Sequence, residues 1–300
     1  KVWMQLEEKR IPYRVEKINM RCYGKKSRAY QRLVPSGMLP ALELDGDLVL
    51  ESDVIMNRIE EAFPGYRSLV PSDPALHVLA QKLLKLERYL FSAWCGWLCR
   101  SGSEARNESQ FIEALDEVER ALTLVQPGPF FLGANVMLVD CVFIPFLERM
   151  SASLLYYKGL RIKGHGSPWP NITRWFEALE ARPSYQGIRS DWHTHIHDLP
   201  PQLGGCYASG TPKQVAAAKG LDGWTLPLAP LTENSLEPVP EGYRERPELD
   251  RQEAAIAVVR HKDSLVQSGV LAHNGKSRNN VKVSVDAALR VICTIMLEDG

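Results

Sequence analysis

The spacing of apolar residues changes character near residue 64. Before it, period-2 runs at 13–18 and on both sides of Asp45-Gly46 predict short strands, while helical periods at 1–9, 23–33 and 51–63 predict helices. Asp-Gly suits a tight primed hairpin turn, because both residues accept positive φ at little cost. The predicted order is therefore helix, strand, helix, strand, strand, helix, a small α/β unit at residues 1–64.

The first and last helices of this unit are predicted to be amphipathic. In the first, Val2 and Leu6 share a face, and the segment 7–9 (Glu-Glu-Lys) is expected to face solvent. The last has apolar residues at helical spacing: Val54, Ile55, Ile59 and Phe63.

Residues 64–74 form a predicted linker, and the pattern from 75 to 195 is helical. Runs of helical period lie at 75–100, 109–125, 138–157 and 171–183, with no strand pattern among them. The predicted architecture is thus an α/β domain at 1–64 followed by an all-α domain at 75–195.

Residues 196–300 are predicted to form an extended tail with two helices. The stretches 199–214 and 221–248 are rich in Pro and Gly and predict irregular structure, whereas 248–267 and 284–298 predict helices. In the last helix Ser284 is the expected N-cap. An apolar stripe there needs a partner surface, so the tail is expected to pack on the protein through Val285, Leu289, Ile292 and Met296.

The composition of the chain argues against several classes of function. The chain carries 36 basic and 36 acidic residues, so no basic field favours nucleic acid or an anionic membrane. No apolar run reaches the length of a membrane span. Six scattered cysteines are too few for a disulfide scaffold and indicate a reducing, intracellular compartment.

Four stretches together resemble the glutathione S-transferase superfamily, in the style of its omega and lambda classes. They are EEKRIPYRVEKINM (7–20), VPSGMLPALELDGDLVLESDVI (34–55), FFLGANVMLVDCVFIPFLER (130–149) and WPNITRWFEALEARPSY (169–185). The resemblance covers roughly residues 1–190. It implies a thioredoxin-like, glutathione-binding domain followed by an all-α C-terminal domain, with the extended tail added.

The resemblance implies a glutathione site at the ends of the predicted hairpin. Pro40 is expected to be cis, so that the Leu39 backbone pairs with the cysteinyl unit of glutathione like an added strand. Ser52, at a helix N-terminus, is expected to hold the γ-glutamyl carboxylate, and Glu51 to receive the ammonium. The alternatives are a trans Pro40 that starts a strand and a Glu51-Ser52 pair that caps the helix.

The sequence departs from the family pattern in three ways. Many members carry a lysine for the glycyl carboxylate of glutathione where this chain has Met38. The capping Ser or Thr expected three residues before Asp140 is Met137. The family's first strand and its catalytic Ser, Tyr or Cys lie upstream of the helix with which this chain begins, so no catalytic residue is assigned.

Three aromatic residues on the helix 75–100 are candidates for an acceptor-substrate pocket. By analogy with the family this helix lines that pocket, and Tyr89, Trp94 and Trp97 would suit a flat apolar ligand. The alternative is that they are ordinary core aromatics.

Two further patterns are weighed against structural alternatives. His193, His195 and His197 would share a face in a strand, but no nearby cysteine or second cluster completes a ligand set, so no metal site is predicted. Cys95 and Cys99 are spaced i, i+4 on a helix, a poor geometry for a disulfide, and are expected to be core or pocket wall.

Two functions remain. The first is a glutathione-dependent enzyme, with glutathione as co-substrate, that conjugates a small apolar electrophile or exchanges glutathione with a thiol. The second is a non-catalytic binding or assembly module of the same fold. A homodimer or larger assembly is compatible with both, and the cytosol and the plastid stroma both fit.

Overall fold

The computed structural model describes residues 1–18, 26–219, 247–272 and 278–298. They belong to two compact units, the first containing 1–18 and 26–219 and the second 247–272 and 278–298. The first unit begins with an α/β part, whose elements are α1 (Val2–Lys9), α2 (Arg28–Leu33), β1 (Ala41–Leu44), β2 (Asp47–Leu50) and α3 (Ser52–Ala62).

The hairpin β1–β2 forms at the predicted Asp-Gly turn. The strands are antiparallel, in a register that runs from Ala41 opposite Leu50 to Leu44 opposite Asp47. Asp45 and Gly46 have φ of 53° and 90°. Positive φ at both central residues is the signature of the type I′ turn that the sequence predicts, so this prediction is confirmed.

The strand predicted at 13–18 does not form, and residues 12–18 are irregular. An alternating pattern is not sufficient for a strand, because a strand also needs a neighbour for its ladder, and the described residues supply none for 13–18. The helix predicted at 23–33 is present as α2, where Ser27 Oγ accepts from the Tyr30 N–H at 3.1 Å. Residues 23–25 lie outside the described part.

Two elements of the α/β part differ from the predicted pattern. Ile55 and Ile59 are buried against Leu6, as expected, but Val54 is exposed. In α1 the charged Glu8 and Lys9, predicted to face solvent, are buried. The physical reason is pairing: Glu8 meets two arginines, and Lys9 Nζ lies 3.1 Å from a Glu60 carboxylate oxygen.

The helical part of the first unit forms as predicted. Its helices are α4 (Pro74–Leu98), α5 (Glu104–Ala121), α6 (Leu138–Lys158), α7 (Pro170–Glu180) and α8 (Pro183–Gln186). Their apolar faces enclose a large core, which includes Trp94, Trp97, Phe111, Phe131, Phe143 and Trp175. Although α4 and α6 are apolar, no helix in the described residues is long and apolar enough to cross a bilayer.

Two helices occupy a stretch predicted to be irregular, α9 (Trp192–Leu203) and α10 (Pro212–Ala218). Local caps start both helices: Asp191 Oδ1 accepts from Thr194 N at 2.7 Å, and Thr211 Oγ1 accepts from Gln214 N at 3.2 Å. The Pro and Gly content masked these signals. Helix α9 crosses residue 195, where the predicted all-α domain ends and the predicted tail begins. The division of the chain into three parts stays a prediction. The stretch 221–246 lies outside the described residues.

The second unit consists of α11 (Pro247–Ala272) and α12 (Arg278–Glu298), which pack on each other. Ser284 lies inside α12, so its prediction as the N-cap is wrong. Val285, Leu289 and Met296 of the predicted stripe are half-buried, while Ile292 is 42% exposed. α11 is therefore one partner of the stripe, and packing of the tail on the rest of the protein stays a prediction.

Replacing Leu289 by Asp is expected to open this helix pair, because it places a charge in the half-buried stripe, at a cost on the order of 1–2 kcal/mol. Hydrogen exchange should show faster amides from 285 to 296. Ile292→Asp, on the exposed face of the same helix, is the matched control and should change exchange little. Equal effects of both variants would contradict the assignment of the buried face.

Candidate functional site

The hairpin brings the four predicted glutathione-site residues together at its open end. The ladder ends at the pair Ala41–Leu50. Leu39 and Pro40 come directly before Ala41, and Glu51 and Ser52 come directly after Leu50, so all four lie at the same end of the hairpin. Residues opposite each other in an antiparallel pair are about 4.5–5.5 Å apart, and the pair Ala41–Leu50 closes this end of the ladder. The two sequence motifs, twelve residues apart in the chain, are thus neighbours in space.

Leu39 and Pro40 are joined by a cis peptide bond, as the sequence predicts. The loop before them is fixed by the Tyr30 hydroxyl, which donates to the Met38 carbonyl at 2.6 Å. No backbone hydrogen bond joins Leu39 to another of the described residues. Leu39 also lines a groove of about 650 Å³ along β1, with Tyr30 and Leu42. An extended ligand backbone has room to approach Leu39 there.

The N-terminus of α3 presents free backbone N–H groups beside this corner. Its first helical hydrogen bond is from Ile55 N to Glu51 O, at 2.9 Å, so the N–H groups of residues 52–54 have no carbonyl within the helix. Glu51 has φ 65° and ψ 121°, an unusual conformation for a non-glycine residue, and its side chain makes no cap. Ser52 Oγ is 3.4 Å from Asp53 Oδ1. Free N–H groups and a hydroxyl make this a position for a carboxylate.

A cavity of about 430 Å³ lies between α3, α4 and the start of α6. Its walls are largely apolar and include Met56, Leu69, Leu84, Val139 and Val142, with charged side chains from Lys1, Asp53, Glu87 and Arg88. Asp53 follows Ser52 directly, so the cavity adjoins the anion position of α3. Its volume and lining are typical of a small-molecule site.

Four charged side chains of this cavity form two pairs. Arg88 Nε donates to Glu87 Oε2 at 2.6 Å, and its guanidinium lies 5.1 Å from the centre of the Phe91 ring. Lys1 Nζ lies 3.8 Å from Asp53 Oδ1. Burial lowers the pKa of the Lys1 side chain, with Arg88 acting in the same direction, against the opposing effect of Glu87 and Asp53. Arg88 and Glu87 therefore form a fixed ion pair in a mainly apolar wall.

Family models match both parts of the first unit. The model described as "Glutathione S-transferase, N-terminal domain" matches residues 1–62, and that described as "Glutathione S-transferase, C-terminal domain" matches residues 103–178. The chain belongs to the glutathione S-transferase superfamily. The resemblance seen in the sequence is confirmed, and all four residues of the hairpin corner lie within the first match.

Curated relatives in the superfamily are similar over about two thirds of this chain. "Glutathione S-transferase DHAR2" of Arabidopsis thaliana is 25% identical over 190 residues, which are 63% of this chain and 82% of the relative. "Glutathione S-transferase L1" of the same plant is 27% identical over 194 residues, 64% of this chain and 77% of the relative.

Solved structures of the superfamily share the fold. The dehydroascorbate reductase of Chlamydomonas reinhardtii aligns with a TM-score of 0.54 and 22% identity, over 67% of this chain and 87% of that one. Glutathione transferase Omega 3C of Trametes versicolor aligns with a TM-score of 0.53 and 24% identity, over 64% and 85%. A thioredoxin-like N-terminal domain followed by a helical domain is therefore the fold of this chain.

The three aromatic candidates are not gathered in one pocket. Trp94 and Trp97 are buried in the core of the helical domain, where their indole N–H groups donate to Ser153 at 3.1 Å and Glu104 at 2.8 Å. For these two the core alternative holds. Tyr89 is exposed on α4. Sequence reasoning did not single out Glu87 and Arg88 on the same helix, because no local motif marks them as lining a cavity.

The three histidines lie on a helix rather than a strand. In α9, residues two apart are about 200° apart around the axis, so the alternating positions 193, 195 and 197 do not share a face. His195 is buried, with Nε2 2.5 Å from Glu148 Oε1, whereas His197 is exposed. The described residues contain no group of three His, Cys, Asp or Glu side chains arranged for a metal ion.

The N-terminus of α6 is capped by the Asp140 carboxylate, although the Ser or Thr that the family has at position 137 is replaced by Met. Asp140 Oδ2 accepts from the Met137 N–H at 2.9 Å, while Oδ1 accepts from Trp175 Nε1 at 2.8 Å and from Phe131 N at 3.3 Å. The carboxylate thus keeps its half of the capping box. It also ties α6 to α7 and to the preceding loop.

Proposed function

We propose that this protein binds glutathione at the hairpin corner and transfers it to, or removes it from, a small electrophilic or thiol substrate. The observation that carries the proposal is the convergence at one corner of the Leu39 backbone, the free N-terminus of α3 and Ser52. No residue of the described chain is assigned as the nucleophile.

In this proposal the cysteinyl unit of glutathione pairs with the Leu39 backbone beside the cis Pro40. The γ-glutamyl carboxylate binds the Ser52 hydroxyl and backbone N–H at the positive end of the α3 dipole, and Glu51 receives the ammonium. Met38 is 58% exposed and supplies no cation for the glycyl carboxylate. Affinity is therefore expected to be lower than in a site with lysine there.

We place the second substrate in the cavity that adjoins Ser52 through Asp53. Its apolar walls suit a small apolar or electrophilic molecule, and the Glu87–Arg88 pair gives one side of the cavity a polar edge. Dehydroascorbate is the other compound to test, since a similar structure is named a dehydroascorbate reductase. Relatives include a chloroplastic and a cytosolic form, and both compartments fit.

The alternative is a non-catalytic binding or assembly module, alone or as a homodimer. Two observations favour it: Met38 replaces the charge that would strengthen glutathione binding, and α11 and α12 expose apolar side chains. Those side chains are Ile256, Val259, Val291 and Ile295. Exposed apolar residues on a helix pair are typical of a surface that meets another protein.

Replacing Ser52 by Ala is expected to weaken glutathione binding by roughly 1.5–3 kcal/mol, about 10- to 150-fold, the scale of a hydrogen bond to a charged group. Isothermal titration calorimetry of the intact chain would measure it. Ser109→Ala is the matched control, because the Ser109 hydroxyl bonds to Glu113 on the exposed face of α5. The affinity of this variant for glutathione should equal that of wild type.

Failure of wild type to bind glutathione would refute the proposal, and unchanged affinity in Ser52→Ala would remove only the role of Ser52. Turnover separates the two functions. Glutathione-dependent consumption of an activated aryl halide or of dehydroascorbate supports the enzyme, whereas binding without turnover of either supports the module.

A further inference from the structure

Three cysteine thiols converge at the C-terminal end of α4. Cys95 and Cys99 lie in and just after its last turn, and Cys206 approaches from the segment that follows α9. The Cys99 thiol interacts with the thiols of both Cys95 and Cys206, and a 2.9 Å backbone hydrogen bond joins their chain neighbours Leu98 and Tyr207. The sequence showed only the i, i+4 pair, because Cys206 is more than 100 residues further along the chain.

Backbone hydrogen bonds hold Cys206 in place. The residues 204–209, here called the strap, leave α9 through Gly204 and Gly205, whose φ values are 87° and 143°. Tyr207 N donates to Leu98 O at 2.9 Å, and Ser209 N donates to Tyr157 O at 2.8 Å. The strap thus lies on the ends of α4 and α6, and Cys206 lies beside Cys99.

The charged groups around the cluster favour a thiolate at Cys99. Lys158 of α6 has a side chain with 0% exposure, paired with Glu104 of α5 at 2.8 Å, and Arg100 follows Cys99. Hydrogen bonds from Cys206 and Cys95, then Lys158 and Arg100, hold the pKa of the Cys99 thiol below its usual range. The negative end of the α4 dipole opposes this charge, so the hydrogen bonds and Lys158 must outweigh it.

The other two thiols are the donors of the cluster. The hydrogen bond to Cys99, followed by burial, raises the pKa of both Cys95 and Cys206. All three cysteines are partly buried rather than enclosed, so a small reagent such as hydrogen peroxide can reach them. Cys141, by contrast, is fully buried, and burial raises its pKa, as expected for an inert structural thiol.

We propose that Cys99 and Cys206 form a redox-active pair that reacts with hydroperoxides. The Cys99 thiolate attacks the terminal oxygen of ROOH: an S–O bond forms, the O–O bond breaks, and the departing alkoxide takes a proton to give ROH. The Cys206 sulfur then attacks the Cys99 sulfenic acid, forming the S–S bond, and hydroxide leaves with the Cys206 proton as water. Overall, two thiols and ROOH give a disulfide, ROH and water.

Cys206 rather than Cys95 closes the disulfide. Cys95 and Cys99 are held i, i+4 on one helix, where the required Cβ–S–S–Cβ geometry is not reached without moving the backbone. Cys206 lies on a non-helical strap with two glycines before it, so the backbone can adjust around it. Cys95 stays a hydrogen-bond donor that stabilises the Cys99 thiolate.

The pair is separate from the proposed glutathione site. Arg88 is the last residue of α4 that lines the cavity beside Ser52. Cys95 and Cys99 follow it by 7 and 11 residues, about 10–17 Å along the helix axis.

The test is to treat the reduced full chain with one equivalent of hydrogen peroxide and map its thiols by mass spectrometry without reduction. The expected product is a 99–206 disulfide. Cys206→Ser should instead leave Cys99 as a sulfenic acid that dimedone traps, and Cys95→Ser should still form the 99–206 disulfide. Cys293→Ser is the control, because Cys293 is a partly buried thiol of α12, outside the cluster, and this variant should give the wild-type result.

Alkylation of unmodified wild type gives an independent measurement that needs no variant. An ordinary thiol of pKa about 8.5 reacts with iodoacetamide roughly 80-fold more slowly at pH 6 than at pH 8, whereas Cys99 should slow by less than threefold. A 95–99 disulfide, oxidation of Cys293 as fast as Cys99, or an ordinary pH dependence at Cys99 would each overturn the proposal.

Discussion

Replacing Asp140 by Ala is expected to lower the free energy of unfolding by about 4 kcal/mol, and the melting temperature by about 10 °C. Asp140 is fully buried and accepts N–H groups from Met137, Phe131 and Trp175. Alanine would leave three buried donors unpaired, each costing roughly 1–3 kcal/mol before relaxation. Urea denaturation followed by tryptophan fluorescence measures the change.

The matched control for Asp140 is Asp116→Ala. Asp116 also accepts an indole N–H, from Trp169 at 2.7 Å, but its side chain is exposed on α5, where water can replace it. Its loss should cost about 1 kcal/mol or less. If Asp140→Ala lowered the unfolding free energy no more than Asp116→Ala, the Asp140 carboxylate would not stabilise the packing of α6 on α7 in the way that its contacts indicate.

Replacing Glu8 by Ala is expected to cost about 3 kcal/mol of unfolding free energy. The Glu8 side chain is 1% exposed, and it binds Arg182 through both oxygens, at 2.7 and 2.8 Å, Arg67 at 2.7 Å, and Ser184. Removing one member of a buried ion pair costs about 3–5 kcal/mol. The lower end applies, because Arg67 and Arg182 are 41% and 37% exposed and can return to water. Glu117→Ala, on the exposed face of α5, should change stability by less than 0.5 kcal/mol.

The contribution of Glu8 also depends on pH. Burial acts to raise its pKa, but the hydrogen bonds from Arg182 and Ser184 and the charge of both arginines outweigh it and leave the pKa below its usual 4.5. The unfolded state therefore binds a proton more readily than the folded state. The stability is present above pH 4.5 and is lost as the pH falls through the folded pKa. The difference in unfolding free energy between wild type and Glu8→Ala, measured by urea denaturation, should thus become smaller from pH 7 to pH 3.5. A difference that does not change with pH would contradict this account.

Features with a local cause could be predicted from the sequence. The Asp45-Gly46 turn sets both strands of the hairpin, because its positive φ values and the alternating pattern lie within ten residues. The four residues of the hairpin corner were predicted from a motif 14 residues long. Their position at one end of the hairpin follows from the pair Ala41–Leu50, which they flank in the chain, although their binding of glutathione stays a proposal.

Features with distant partners could not be predicted. Glu8 and Lys9 look like solvent-facing charges in their own helix, and nothing nearby shows that Arg182 and Glu60 will pair with them. The strand at 13–18 failed for the same reason, since alternation fixes the side-chain period but not the presence of a neighbour. Cys206 joined Cys99 through the path of the strap, which no local spacing encodes.

The pairing of Glu8 with Arg182 also sets an order of events during synthesis. The two residues are 174 positions apart, so at about 5–20 residues per second the ribosome makes Arg182 roughly 9–35 s after Glu8. Throughout that interval α1 carries a carboxylate without its main partner. The thioredoxin-like domain therefore completes its last ion pairs only after most of the helical domain has been made. A ribosome-bound chain that ends before residue 182 should be more sensitive to protease in α1 than a chain that extends past residue 219.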